Sequence, residues 1–424
     1  MRESMTAKGQ AGTGTTGRAA LAVLLFASTL TVMAGTVLVP VLALIRDDLG
    51  IGGTAAGLLL TAHALSIAVT GPLAGWSIDR WGLRAPLVTG LLVYGLAGGA
   101  GLFVESYAAL IVSRLVFGVG AAAVFTGSTV ALLTLYQGVE RDRAIGRRST
   151  AISLGGIVWP LLGGALGGIS WHSPFAVYLV GLPVGVAMLW VLPAVPAAER
   201  RAGRGNTVRL LRLLPVRVLG LYGVSFVSSL LLYVLAVFLP QRLAQVGVEQ
   251  PFLVACYTMA TSLSGAVAGL VYVRLRRRFG YAGLLRVAAA AWLAGLLVAG
   301  TADHLVPLAA APALFGVGMG VAVPTLTVLI GEAAPPGMRA QATALSGTAA
   351  FTGQFVSPLL VGPLVGATSL RAGFLVAALL AGAVLLVVGA ARPAPPLVPA
   401  GGFHPDPHRP TRPVAGLEKN GDAA

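Results

Sequence analysis

The sequence predicts an all-α membrane protein with twelve transmembrane helices in two repeats of six. Three observations predict it: an apolar composition, a ladder of twelve apolar runs, and one register shift that lays half of the chain on the other. The chain has 424 residues, 56% hydrophobic and only 10% charged, with a mean hydropathy of +0.87. A soluble domain carries about 25% charged residues. So large a deficit calls for an apolar solvent. The net charge of +15 does not point to nucleic acid, because the arginines fall in short clusters between apolar runs rather than along one basic face. The lone Cys256 cannot form an intrachain disulfide.

The elements follow in order. Residues 1–18 are polar and Gly/Thr-rich and are expected to be a disordered N-terminus. Apolar runs then occur near 19–45, 54–76, 85–104, 107–136, 150–170, 174–193, 217–240, 251–273, 281–302, 305–331, 342–367 and 370–391. Crossing ~30 Å of hydrocarbon takes about 20 residues, and these runs reach or exceed that length. They lack period-two alternation, and lipid requires backbone bonds to close within the segment, so they read as helices. The first run is too long for the core of a signal peptide. A basic stretch at 194–216 is read as a linker between bundles at 19–193 and 217–391, and the Pro/Gly-rich 392–424 as a disordered tail.

Charge asymmetry orients the helices. The loops on one side hold three basic residues, Arg46, Arg242 and Arg371, together with Asp47, Asp48, Glu105, Glu249 and Asp303. The other side holds 25 of the 29 Lys and Arg residues, and Arg114 lies within a run. The positive-inside rule places that second side, and both termini, in the cytoplasm. A shift of +198 carries Ser66 to Ser264, Gly71 to Gly269, Arg80 to Arg278, Gly82 to Gly280, the whole of Phe117–Gly120 to Phe315–Gly318, Pro160 to Pro358 and Gly164 to Gly362. Parallel repeats of this kind suit two bundles that rock about a central cavity.

Three motifs stand on this frame. Gly75, Asp79, Arg80, Gly82 and Arg84 form a charged turn between the second and third runs. Arg114, Gly118 and Gly120 follow in the fourth run, and Gly156, Trp159, Pro160, Gly163 and Gly164 in the fifth. Together they resemble the signature loop, the second motif and the drug:proton antiporter motif of the major facilitator superfamily, although Trp159 stands where that motif has Gly before its Pro. The resemblance implies a twelve-helix transporter with no cofactor, driven by a proton gradient. It also implies a conformational latch at Gly75, Asp79, Arg80, Gly82 and Arg84. Physically, Asp79 can accept hydrogen bonds from a helix N-terminus and the arginines can meet a carboxylate. Gly118-Val-Gly120-Ala-Ala-Ala123 also has the GxGxxA spacing of a dinucleotide site, but it lies inside an apolar run with no βαβ context. Gly118, Gly120, Gly156, Gly163 and Gly164 instead allow close helix packing, and Pro160 can bend its helix.

The ionisable residues deep in the runs are His63 and Arg114. They lie roughly 13 and 12 Å from the external end at 1.5 Å per residue. An intramembrane Arg costs at least ~2.5 kcal/mol and is expected to face a cavity. A structural arginine bonding backbone carbonyls between helices is the other reading. His63 is the natural proton carrier, with an unperturbed pKa of ~6.5, or else a neutral packing residue. The resemblance adds Phe117, Trp159, Tyr257 and Gln354 as candidate cavity residues. No Asp or Glu lies deep in a run, which disfavours lipophilic cations and points to neutral, zwitterionic or anionic substrates. The chain lacks a Walker A sequence. Paired carboxylates, metal-ligand clusters and a Ser/His/Asp set are also missing, which argues against an enzyme. The expected function is proton-coupled efflux of small amphipathic molecules by a monomer in a bacterial inner or plasma membrane. Uptake of a small metabolite and a non-transporting membrane sensor are the alternatives.

Overall fold

The computed structural model describes residues 15–192, 215–334 and 339–390. The expected disorder at 1–18, 194–216 and 392–424 falls almost entirely outside these residues. The described chain is helical: α1 (Thr15–Thr36), α2 (Leu42–Asp48), α3 (Gly53–Trp81), α4 (Arg84–Gly99), α5 (Tyr107–Leu135), α6 (Gly138–Gly167), α7 (Gly181–Val191), α8 (Val216–Gln245), α9 (Pro251–Thr301), α10 (Leu305–Ala333), α11 (Arg339–Ala367) and α12 (Leu370–Ala390). The first crossing runs through α1, a 3-10 turn at Val39–Val41 and α2. Pro40 within that turn has no N–H to continue the α-helical ladder.

Among the described residues eleven helical segments are long and apolar enough to span a bilayer, one of them the 51-residue α9. At 1.5 Å per residue α9 would be about 76 Å long, over twice the hydrocarbon thickness. Gly280, at φ 64° and ψ 177°, breaks it into arms 251–279 and 281–301, which is consistent with twelve crossings. Gly82 makes the same break between α3 and α4, at φ 80° and ψ 177°. Only Gly takes this conformation without strain. The two turns are 198 residues apart, so the sequence repeat is also a backbone repeat.

Helices overrun the expected apolar runs at the Asp79 end. α6 begins at Gly138, where the apolar run begins only near 150. The Arg143–Glu140 ion pair, 2.7 Å at i,i+3, supports this polar extension. Hydropathy marks the hydrocarbon thickness, not the helix end.

The repeat extends to packing. A Cβ on Gly120 would lie 2.6 Å from the Tyr94 amide nitrogen and 2.7 Å from the Gly90 carbonyl. The equivalent Gly318 would meet Trp292 Nε1 at 2.5 Å and the Ala288 carbonyl at 2.8 Å. Gly118 abuts His63 and Ser66, and Gly316 abuts Thr261 and Ser264. Each pair of contacts is related by the same shift. Small residues let the backbones touch where lipid supplies no hydrophobic drive.

The repeats meet through α3 with α11 and α6 with α9. Gly57 lies on Pro358, Gly362 on Thr54, and Gly164 on Ala255 and Pro251. These contacts lie toward the end that carries Asp48. Toward the end that carries Asp79, Gly75, Gly146, Gly223, Gly269, Gly331 and Gly347 have open space where a side chain would be. Because these glycine contacts between the repeats gather at the Asp48 end, we read that end as closed and the Asp79 end as parted.

At the closed end Arg242, placed in a loop by hydropathy, is buried on the last turn of α8 (3% exposed). It donates to the Ala302 carbonyl at 2.7 Å, Gln245 Oε1 at 3.0 Å and Asp303 Oδ1 at 2.9 Å. Asp303 also pairs with Arg371 of α12. The Arg242 hydrogen bond holds the Asp303 carboxyl below its usual range, with the Arg371 charge adding to it. A depressed carboxylate pKa stabilises the fold above the unfolded value, near 4, and that contribution is lost as pH falls through the folded value. The midpoint of thermal unfolding is therefore expected to drop between pH 5 and 3 more in the wild type than in Asp303→Asn. The carboxylate is solvent-exposed, so added salt is expected to shrink the difference. Identical pH profiles in the two proteins would remove the clasp from the stability account.

Candidate functional site

The site forms because α3, α4 and α5 pack through glycines, bringing their side chains to one depth. Arg114 on α5 is 1% exposed and His63 on α3 is 2% exposed. Arg114 Nη2 donates to the Gly98 carbonyl at 2.7 Å. Its guanidinium lies 4.6 Å from the Phe117 ring centre, 5.1 Å from Phe175 and 4.8 Å from Tyr178. Cation–π contacts contribute about 0.5–2 kcal/mol each, more when desolvated. Three ring faces and one carbonyl thus replace water around the charge. The side chain does not open onto a channel in this conformation. His63 meets Phe117 edge-on with centroids 5.9 Å apart. Among the described residues His63 Nδ1 and Arg114 Nε and Nη1 are buried without a hydrogen-bond partner.

The rest of the cage was not visible in the runs. Tyr94 bonds the Leu30 carbonyl of α1 at 2.7 Å and stands 4.4 Å from Phe117, centroid to centroid. Tyr178 reaches the Ala34 carbonyl at 3.4 Å. Tyr233 of α8 is packed against Gly35 of α1, bringing a second-repeat hydroxyl to the edge of the cluster. A sequence signal existed for one pair: Tyr94 and Phe117 map onto Trp292 and Phe315, whose rings also stack, 6.0 Å apart. Phe175 and Tyr178 had no such marker.

Among the described residues no Asp or Glu is buried; the buried basic side chains are His63, Arg114 and Arg242. No group of three or more His, Cys, Asp or Glu side chains there could hold a metal ion. A family model described as Major Facilitator Superfamily matches residues 24–255 and 221–418.

The chain belongs to the major facilitator superfamily. It is a multi-pass membrane protein of that family. Among curated proteins it is 33% identical over 140 residues to Multidrug resistance protein 1 of Bacillus subtilis, covering 32% of this chain and 35% of that protein. It is 28% identical over 137 residues to Quinolone resistance protein NorA of Staphylococcus aureus, covering 32% of this chain and 35% of that protein. The chain spans only about a third to a half of the curated relatives it matches. Solved structures share the fold. The nucleoside transporter NupG superimposes with a TM-score of 0.71 at 15% identity, over 88% of this chain and 98% of that one. A D-xylose–proton symporter does so with 0.68 at 18% identity, over 89% and 97%.

In this major facilitator the remaining candidates are dispersed. Trp159 lies against α1, donating to the Thr29 carbonyl at 3.1 Å with Phe26 at its edge. Tyr257 reaches the Leu305 carbonyl at 3.4 Å, near the closed end. Gln354 is half-buried on α11. None of these three joins the His63–Arg114–Phe117 cluster. Gly156 packs on Ser262 of α9, Gly163 on the Val37 carbonyl, and Pro160 is buried within a continuous α6. In the signature turn Asp79 and Arg80 are exposed and Arg84 opens α4. Among the described residues Asp79 has no ion-pair partner, and Gly75 has nothing near it.

Proposed function

We propose that this transporter exports small amphipathic molecules by proton-coupled alternating access. Similarity to proteins named for multidrug and quinolone resistance carries the export direction. The basic Asp79 end and both termini lie in the cytoplasm of a bacterial inner or plasma membrane. The conformation, closed at the Asp48 end and parted at the Asp79 end, is then inward-facing. The chain acts as a monomer. With no buried carboxylate among the described residues and a buried guanidinium, the substrates are neutral, zwitterionic or anionic. His63 carries the proton, and Arg114 beside it senses that proton through their shared contact with Phe117.

Efflux from everted vesicles under an imposed pH gradient tests the reading. Wild type is expected to respond to the gradient, whereas His63→Ala and Arg114→Lys lose at least about tenfold in driven flux, equivalent to roughly 1.4 kcal/mol. Lysine keeps the charge but cannot lie flat over the rings while reaching the Gly98 carbonyl. Gradient-independent flux would end the proton-coupling proposal, and normal transport by both variants would end the site assignment.

The latch makes a separate prediction. Among the described residues Asp79 has no ion-pair partner in the inward-facing state, so it acts when the parted end closes. Asp79→Asn is expected to leave the thermal unfolding temperature within about 2 °C, as for a surface change, and to cut flux about tenfold or more with substrate affinity kept. Matched losses of binding and flux would place Asp79 at the substrate instead.

A further inference from the structure

One pair of side chains crosses the gap between the repeats near the parted end. Phe125 of α5 and Phe351 of α11 meet edge to face, ring centroids 5.5 Å apart and planes at 88°. Their helices make no extended backbone contact. The two rings therefore bridge a space and are not part of a packed helix interface. Arg148 of α6 stands beside them, its guanidinium carbon 5.9 Å from the Phe125 ring centre. Arg148 Nε and Nη2 are buried and, among the described residues, have no hydrogen-bond partner. Among the described residues no carboxylate pairs with Arg148.

We propose that Arg148 and the Phe125–Phe351 pair form an entry site for small anionic amphiphiles at the parted end. Nε and Nη2 lie on one edge of the guanidinium, and their two N–H groups point the same way. That edge takes a carboxylate or sulfonate through two parallel hydrogen bonds. A buried, unpaired cationic edge is costly, and an anion relieves that cost. The apolar body of the same molecule then lies against the rings. Insertion there parts their edge-to-face contact and opens the way toward the enclosed centre. Neutral molecules gain only the ring contact, so the site ranks substrates by charge before they reach the His63–Arg114 cluster. This inference rests on the transport reading for its purpose, though its binding chemistry can be measured without transport.

The test uses the full chain in phosphatidylcholine nanodiscs, titrated by fluorescence with 8-anilinonaphthalene-1-sulfonate and with neutral N-phenyl-1-naphthylamine, empty discs being subtracted. Saturable binding of both probes to wild type is expected. Arg148→Gln is expected to raise the Kd of the sulfonate about tenfold and to leave the neutral probe within about twofold. Arg148→Lys should fall between, since it keeps the charge and loses the fork. Phe125→Ala should weaken both probes. Among the described residues Arg148 Nε and Nη2 have no hydrogen bond to lose, and thermal unfolding checks that the variants fold. Equal effects of Arg148→Gln on both probes, no effect on either, or no saturable sulfonate binding by wild type would overturn the proposal. So would displacement of the sulfonate from Arg148 by added phosphatidylglycerol, which would identify a lipid headgroup as the occupant. If wild type binds the sulfonate through Arg148 but moves neither probe in everted vesicles, the entry site stands and the transport reading fails.

Discussion

Arg114→Met is expected to abolish gradient-driven efflux while leaving the protein folded. The wild-type guanidinium is 1% exposed, bonded to the Gly98 carbonyl and set among three rings. Two terms oppose each other on substitution. Methionine loses three cation–π contacts and one hydrogen bond, at least about 2 kcal/mol together. It also removes a buried charge with two unpartnered N–H positions, Nε and Nη1, and replacing buried ionic groups by apolar ones of similar volume is often neutral or stabilising by 1–4 kcal/mol. The terms are of similar size, so the net change should fall within about 2 kcal/mol. Methionine also fills irregular gaps well. Arg114→Ala differs, because it leaves the three rings without a filler and should cost roughly 3 kcal/mol or more. Thermal unfolding separates the two variants, and vesicle flux shows whether Met alone stops transport. If Arg114→Met unfolds, the residue is a structural clasp. If it transports normally, the charge has no part in coupling.

Gly118→Val is expected to be strongly destabilising to the packing of the first repeat. A Cβ there would lie 2.6 Å from Ser66 Cβ and 2.9 Å from the Cα of His63. Backbone atoms of a packed helix cannot rotate away as a side-chain tip can, so α3 and α5 must separate. Overpacking usually costs 1–3 kcal/mol. Valine adds two methyl groups beyond that Cβ, so a loss of at least about 3 kcal/mol is expected. Displacing α3 also moves His63, so surviving protein should be inactive. The repeat predicts the same for Gly316→Val, which faces Thr261 and Ser264. Gly75→Ala is the control, because nothing lies near it. Its stability should hold or rise by up to about 1 kcal/mol from helix propensity. The fraction of detergent-solubilised protein that stays monodisperse, followed against temperature, checks all three. Normal stability in Gly118→Val would show that the two helices have slack between them.

The two predictions rest on different amounts of sequence information. The Gly118 contact was legible, because FGVG recurs after 198 residues and small residues in apolar runs mean close helices. That Arg114 and His63 share a depth was also legible, by counting residues from the external end of two runs that cross in the same direction. What encloses Arg114 was not. Phe175 and Tyr178 look like any aromatic in an apolar run, and only the 3-10 turn at Ser173–Val180 aims them at α5. Arg242 was misplaced for a related reason. Hydropathy treats a charge as a loop residue, whereas Arg242 caps helix-end carbonyls and meets Asp303.

Sequence by itself determined the solvent, the crossings, the repeat and the family resemblance. Each of these is written in one-dimensional quantities: hydropathy over a span, charge counted by side, and residue identity at a fixed offset. Tertiary structure alone decided the cage around Arg114, the dispersal of Trp159, Tyr257 and Gln354, and the ring pair beside Arg148. It also decided which end of the bundle is closed. These depend on which helix faces meet, and a helix that is apolar all round carries no periodicity to say which face is which. In a membrane the lipid-facing and protein-facing sides are equally oily, so burial leaves its mark mainly in glycines, and only contact resolves the rest.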